Sequence, residues 1–353
     1  MKRILYLIIS MPLLLLSGCD VHEFPDNPAT VKLHLRLNYE SQITEWIHTY
    51  DGSKLTEQGL GATYNNALNY GSMRYIVRAY PIKNTRQVSQ YYTHEYVFNK
   101  DVSKGYNHEA TIDLTPGNYK IMVWSDLTYP NRDTYYYNPA NFSEITLQGE
   151  YVGNSDCRDA FRGTNDITLV SDIMERLPDT LNIVMQRPLA KYSFVTNDIK
   201  EFIEKEATRI ATKAAGSENE SSDESSTRII NIDDYKVIFY YVGFMPNAYN
   251  ISTDKPVDAS TGNSFESTLS ILNDAEALIG FDYVFVNGKE SAITVRIGIY
   301  DKENTQISLT EAIEIPLKRS HHTILTGTFL LSKATGGVSI NPNYNGDHNF
   351  ILP

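Results

Sequence analysis

Cysteine is almost absent from this chain, with two in 353 residues, Cys19 and Cys157. That excludes a disulfide-stapled scaffold and a multi-cysteine metal centre, so a fold of this size must be held by its core. Tryptophan is equally scarce, with two residues against 25 tyrosines. Positive charge is in deficit, 31 Lys and Arg against 43 Asp and Glu, for a formal net charge of −12. An acidic chain without a basic patch is a poor partner for nucleic acid, whose binding depends on neutralising phosphates. After residue 18 no apolar run approaches the roughly twenty residues that a bilayer core demands.

Chemistry-bearing motifs are lacking too. There is no nucleophile elbow, P-loop, GxGxxG or HExxH, so the sequence reads as a non-enzyme with no cofactor. His321 and His322 are the only close histidine pair, and neighbours on a strand point to opposite faces, so they do not share one metal. The stretch NPNYNGDHN (341–349) places Asn341, Asn343, Asn345 and Gly346 at calcium-loop spacing, but Leu352 stands where the bidentate glutamate belongs. It reads as a turn-rich terminal segment. Asp159, Asp166 and Asp172 read as scattered loop acids.

The N-terminus is where the sequence speaks clearly. Lys2 and Arg3 precede an apolar run from Ile4 to Leu16, of signal-peptide length and too short to span a bilayer. The run ends in Leu16-Ser17-Gly18-Cys19, which resembles the lipobox of bacterial lipoproteins. That resemblance implies cleavage between Gly18 and Cys19 and lipid on Cys19. Two or more acyl chains hold a protein durably to a membrane, where one does so only marginally. Residues 1–18 are therefore expected to be a leader and 19–29 a polar, acidic tether carrying two prolines.

Beyond the tether the pattern is that of strands. In TVKLHLRLNY, Val31, Leu33, Leu35 and Leu37 alternate with Lys32, His34, Arg36 and Asn38, which predicts a half-buried N-terminal core strand. Short runs of similar character recur at 75–80, 94–98, 110–114, 119–124, 181–185, 192–195, 235–244, 281–286, 292–300, 312–317 and 323–331. Many short strands with turn signals between them predict an all-β chain built from sandwiches. Residues 197–215 carry Ile199, Phe202, Ile203, Ile210 and Ala211 mostly at helical spacing, which predicts one short helix. Residues 216–226, GSENESSDESS, contain nothing to bury, so 214–228 is expected to be a disordered loop. The domain boundary is expected near Arg187-Pro188, giving units at 30–187 and 188–353.

Several segments come in an order that carries a family resemblance. They are the lipobox, the early alternating strand, TPGNYKIMVWSD (115–126), DAFRGT (159–164), MQRPLAKYSFV (185–195) and PLKRSHHTILTGTFLL (316–331). Together they resemble the fimbrillin-type lipoproteins of Bacteroidales, the fimbrial anchor and accessory subunits. The resemblance implies two tandem transthyretin-like Greek-key sandwiches and an outer-membrane lipoprotein at the cell surface or in a fimbrium. It also implies fimbrial subunit proteins as partners, bound by strand complementation, and membrane attachment through the N-terminal lipid. In such proteins an anchor keeps its first strand, whereas stalk subunits lose theirs to proteolysis. The tether shows no arginine, which favours the anchor role. A second reading is a surface glycan-binding lipoprotein with a sugar or host-surface ligand, suggested by the tyrosine-rich stretch YPNRDTYYYNPANF (129–142).

Overall fold

The computed structural model describes residues 30–83, 86–129, 134–170, 179–215 and 230–331. Outside them lie Gly18, Cys19, the tether, Asp172, the whole acidic Ser-rich stretch 216–226 and the 341–349 segment.

The first alternating run forms β1 (Val31–Tyr39), between β6 (His108–Leu114), antiparallel, and β11 (Asp179–Met185), parallel. Facing this three-stranded sheet is a four-stranded one in the order β10 (Ala160–Leu169), β7 (Gly117–Thr128), β4 (Ser72–Pro81), β5 (His94–Asp101). Between them Leu33, Leu35 and Leu37 pack with Met73, Tyr75, Val77, Ile121, Val123 and Phe161. The period-two pattern thus becomes one inward face of a sandwich, and burying each leucine contributes about 2 kcal/mol.

The second sandwich sets a six-stranded sheet against a five-stranded one. The larger runs β17 (Ser270–Ile271), β18 (Ala277–Phe285), β12 (Leu189–Thr196), β22 (His321–Gly327), β2 (Gln42–Tyr50), β3 (Leu55–Asn65). The smaller contains β16 (Ser264–Thr268), β13 (Tyr235–Tyr241), β19 (Glu290–Asp301), β20 (Gln306–Leu309) and β21 (Ile313–Lys318). Residues 301–306 make the β19–β20 hairpin, with Asn304 in the left-handed region that a short polar side chain tolerates. The helix α1 (Ile199–Ala215) lays Ile199 and Phe202 on this core. It includes residues 214 and 215, expected to lie in the loop.

The expected division at 187/188 does not separate the two sandwiches. β2 and β3 precede most of the first sandwich in sequence, yet β2 pairs in parallel with β22 of the second. The chain crosses at Glu40-Ser41, makes the β2–β3 hairpin, and returns after Asn66. Nor is the junction a bare linker. A third core joins Ile76, Met122, Trp124 and Ala160 on the outer face of the four-stranded sheet to Leu189, Tyr283 and Phe285 of the six-stranded one. A small sheet of β15 (Lys255–Ser260), β14 (Met245–Asn250), β9 (Ile145–Leu147) and β8 (Tyr137–Asn138) covers it, with strands from both halves of the chain.

Candidate functional site: the first strand and its clamp

β1 is the middle strand of its sheet, so both its backbone edges are hydrogen-bonded. Leu35 sits opposite Ala110 on one side and Leu181 on the other. Leu33, Leu35 and Leu37 are buried and Val31 is half-buried, while the outward face carries charge. There His34 Nε2 lies 3.5 Å from Glu109 and Arg36 Nε 3.2 Å from the same carboxylate. The parallel pairing continues one residue past the strand, where the Glu40 N–H donates to Met185 O at 3.0 Å.

The residues that pin this strand's exit come from DAFRGT and MQRP. Arg187 and Asp159 are both buried and meet through two hydrogen bonds. Arg187 also donates to the carbonyls of Gln42 at 3.2 Å and Ser41 at 3.4 Å. Asp159 accepts from Asn66 Nδ2 at 3.2 Å, and the Asn66 backbone N–H donates to Ser41 O at 3.1 Å. One ion pair therefore grips both feet of the β2–β3 hairpin. Burial acts to lower the Arg187 pKa, but Asp159 beside it more than compensates, and the guanidinium is held above its usual range. The face of Phe161 lies 4.8 Å from the guanidinium carbon, and its edge meets Tyr39 at the end of β1, at 5.1 Å between ring centroids.

The rest of DAFRGT alternates between the two cores, as a strand must. Arg162 reaches across to Asp254, which Arg319 also binds at 2.8 Å. Gly163 faces inward, and a Cβ there would stand 2.5 Å from Ile183 Cγ2 and 2.9 Å from Val184 O. Only a residue without a side chain lets β11 approach β10 this closely, and β11 in turn supports β1.

A second ionic group lies alongside. Asp282 is wholly buried; Arg158 Nε is 3.1 Å away, and the hydroxyls of Tyr151 and Tyr241 donate to it. Burial drives the Asp282 carboxyl above its ordinary value, against the pull of Arg158. Lys191 binds Asp156 at 2.8 Å, and Tyr283 donates to the same carboxylate. Here several of the 25 tyrosines serve as core residues with hydrogen-bonded tips. Asp159, a loop acid by its sequence setting alone, is the central carboxylate of the clamp. The signal that could have found it is charge amid apolar neighbours: Arg158-Asp159 directly before Ala160-Phe161, and Arg187 between two strands.

The described tyrosines of the 129–142 stretch fall into different settings. Tyr137 is buried, Tyr136 packs on two cores, and Tyr135 lies under the Arg74 guanidinium at 3.9 Å. Its end, Ala140 to Phe142, lines a surface cleft with Tyr91 and Tyr92. His321 and His322 have separate partners: His321 Nδ1 meets Arg319 O, and His322 meets Tyr64 and Ser193. Among the described residues no three His, Cys, Asp or Glu side chains converge as a metal site, and no helix is long and apolar enough to cross a membrane.

No curated protein matches this chain. Among solved structures it is similar to the fimbrial anchor protein Mfa2 of Porphyromonas gingivalis, at 10% identity and TM-score 0.35, over 79% of this chain and 82% of that one. It is similar to the tip fimbrial protein Mfa3 of the same organism at 9% identity and TM-score 0.37, over 82% and 81%. A candidate adhesin from Bacteroides ovatus aligns at 11% identity and TM-score 0.41, over 89% and 98%. A model of a family of unknown function, DUF6562, matches residues 26–353, and the chain belongs to that family.

Proposed function

We propose that this protein is a lipid-anchored fimbrial subunit of the cell envelope, an anchor or accessory subunit that keeps its own first strand and binds fimbrial partners by strand complementation. The observation that carries the reading is the placement of β1, central in its sheet and clamped at its exit. A sandwich without that strand would present two unpaired edges and an apolar groove, which is what a donated strand fills. Here β1 itself fills the place between β6 and β11, which leaves no place there for a donated strand. The connection after β1, Glu40-Ser41, offers no basic residue, and the Ser41 carbonyl is held by Arg187 and by the Asn66 N–H. Arg36 lies mid-strand, and a protease reaches such a residue only when the strand opens.

A root or terminator of a fibre needs this asymmetry: one sandwich closed on itself, and another surface that engages the partner. The lipid expected on Cys19 would supply the attachment. Deleting the gene in its host and imaging the cell surface tests the proposal. Shed, over-long or missing fibres are expected; normal fibres would overturn it.

A further inference from the structure

We infer that the cleft between the β4–β5 connection and the β8–β9 loop is a binding site for a neutral oligosaccharide. The cleft holds about 750 Å³, within the usual range of ligand sites, and is lined by Arg78, Tyr80, Tyr91, Tyr92, Asn141 and Phe142 among others. Tyr91 is the most exposed large apolar residue described, at 80%. The described residues on either side of it are tied back to the end of β4. Ser89 N donates to Pro81 O at 2.8 Å, Thr93 N to Ala79 O at 2.9 Å, and Ile82 bridges Val88. Tyr91 N is itself held by Ser89 Oγ at 3.1 Å.

The floor is an aromatic stack around a cation. The Arg78 guanidinium lies 4.6 Å from the Tyr92 ring centroid and 4.2 Å from that of Phe142. Its charge is already paired: Nε donates to Glu95 at 2.6 Å, and Nη1 donates to Ala140 O at 3.1 Å. With that charge balanced locally and the chain net acidic, an anionic ligand has nothing to gain. What remains on offer is the two exposed rings, Tyr91 and Tyr92, with polar groups at their margins, namely Gln90, Asn141 and Ser143. Sugars match this pattern, since their C–H faces carry partial positive charge that suits the electron-rich face of tyrosine, and their hydroxyls suit amides and hydroxyls.

The inference is independent of the fimbrial role and is tested separately from it. Purified protein is titrated with cellohexaose, maltohexaose and laminarihexaose, with polygalacturonate as the anionic counterpart. At least one neutral hexamer should bind with a Kd of about 1 mM or tighter, and polygalacturonate should not. Tyr91→Ala should weaken that binding about tenfold, the loss of one stacking contact. Tyr91 carries no core packing, so the variant should fold normally. Phe244→Ala, which removes another highly exposed ring, should leave binding unchanged. Failure of all three hexamers to bind, or binding indifferent to Tyr91, overturns the inference.

Discussion

The Arg187 guanidinium meets the Asp159 carboxylate through two parallel bonds, Nε to Oδ1 at 2.7 Å and Nη2 to Oδ2 at 2.8 Å, in the seam between the sandwiches. Neither side chain is more than 1% exposed. A buried pair of this kind gains little over a well-packed apolar pair, because desolvating both charges offsets most of their attraction. Its value is positional, since it fixes where the chain leaves the first sandwich and re-enters it.

Asp159→Asn should therefore cost about 3 to 5 kcal/mol, leaving Arg187 buried and under-compensated. The double variant Asp159→Leu with Arg187→Met should recover part of that loss. Urea unfolding of Asp159→Leu, of Arg187→Met and of the double variant measures the coupling, and strictly additive effects would show that the pair does not act as one clamp.

Gly163→Ala should destabilise the first sandwich by about 1 to 3 kcal/mol, the usual cost of forcing atoms into a filled core. The new methyl would stand 2.7 Å from Met185 Sδ and 2.9 Å from Val184 O, and backbone cannot step aside as a side chain can. A fall in the urea midpoint checks this, and an unchanged midpoint would mean that β11 moves freely.

Acid should weaken the second sandwich through His322. Burial pushes its imidazole from 6.5 down to about 3, with Lys191 adding to the effect. The folded state thus keeps it neutral while the unfolded chain takes up a proton below about pH 6.5, so stability is lost as pH falls from there toward 3. The loss is about 1.4 kcal/mol for each pH unit in that window. Replacing it in His322→Gln should flatten the pH dependence of the melting temperature between about pH 6.5 and about pH 4.5. An unaltered slope would assign the acid sensitivity to other groups.

Cys19→Ala should abolish membrane attachment or leave the leader uncleaved. Fractionation followed by mass spectrometry of the N-terminal peptide checks it. Recovery of the wild-type chain with an unmodified Cys19 would contradict the lipobox reading.

Much of this architecture was legible in the sequence where one face is buried and the other wet. β1 shows the alternation plainly, and α1 its helical spacing, because solvent on one side imposes the period. β2 was not legible. It lies between β22 and β3 with His48 and Tyr50 buried and several neighbours half-buried on both faces, so QITEWIHTY shows no clean alternation. That it pairs with β22 is a long-range fact that local pattern cannot carry. The clamp was missed for a related reason. A buried Asp reads as a loop Asp until its arginine, 28 residues on, is known to lie beside it.

The central claim is that β1 stays in place. Digesting the folded, full-length chain with an arginine-specific protease, then measuring intact mass and backbone hydrogen exchange, tests it most directly. The account predicts no cut at Arg36 and amide protection across residues 33–37 as slow as in the central strand β7, since strands at the middle of a core open only with global unfolding. Release of a fragment ending at Arg36, leaving a folded remainder that then binds a peptide spanning Val31–Tyr39, would contradict it.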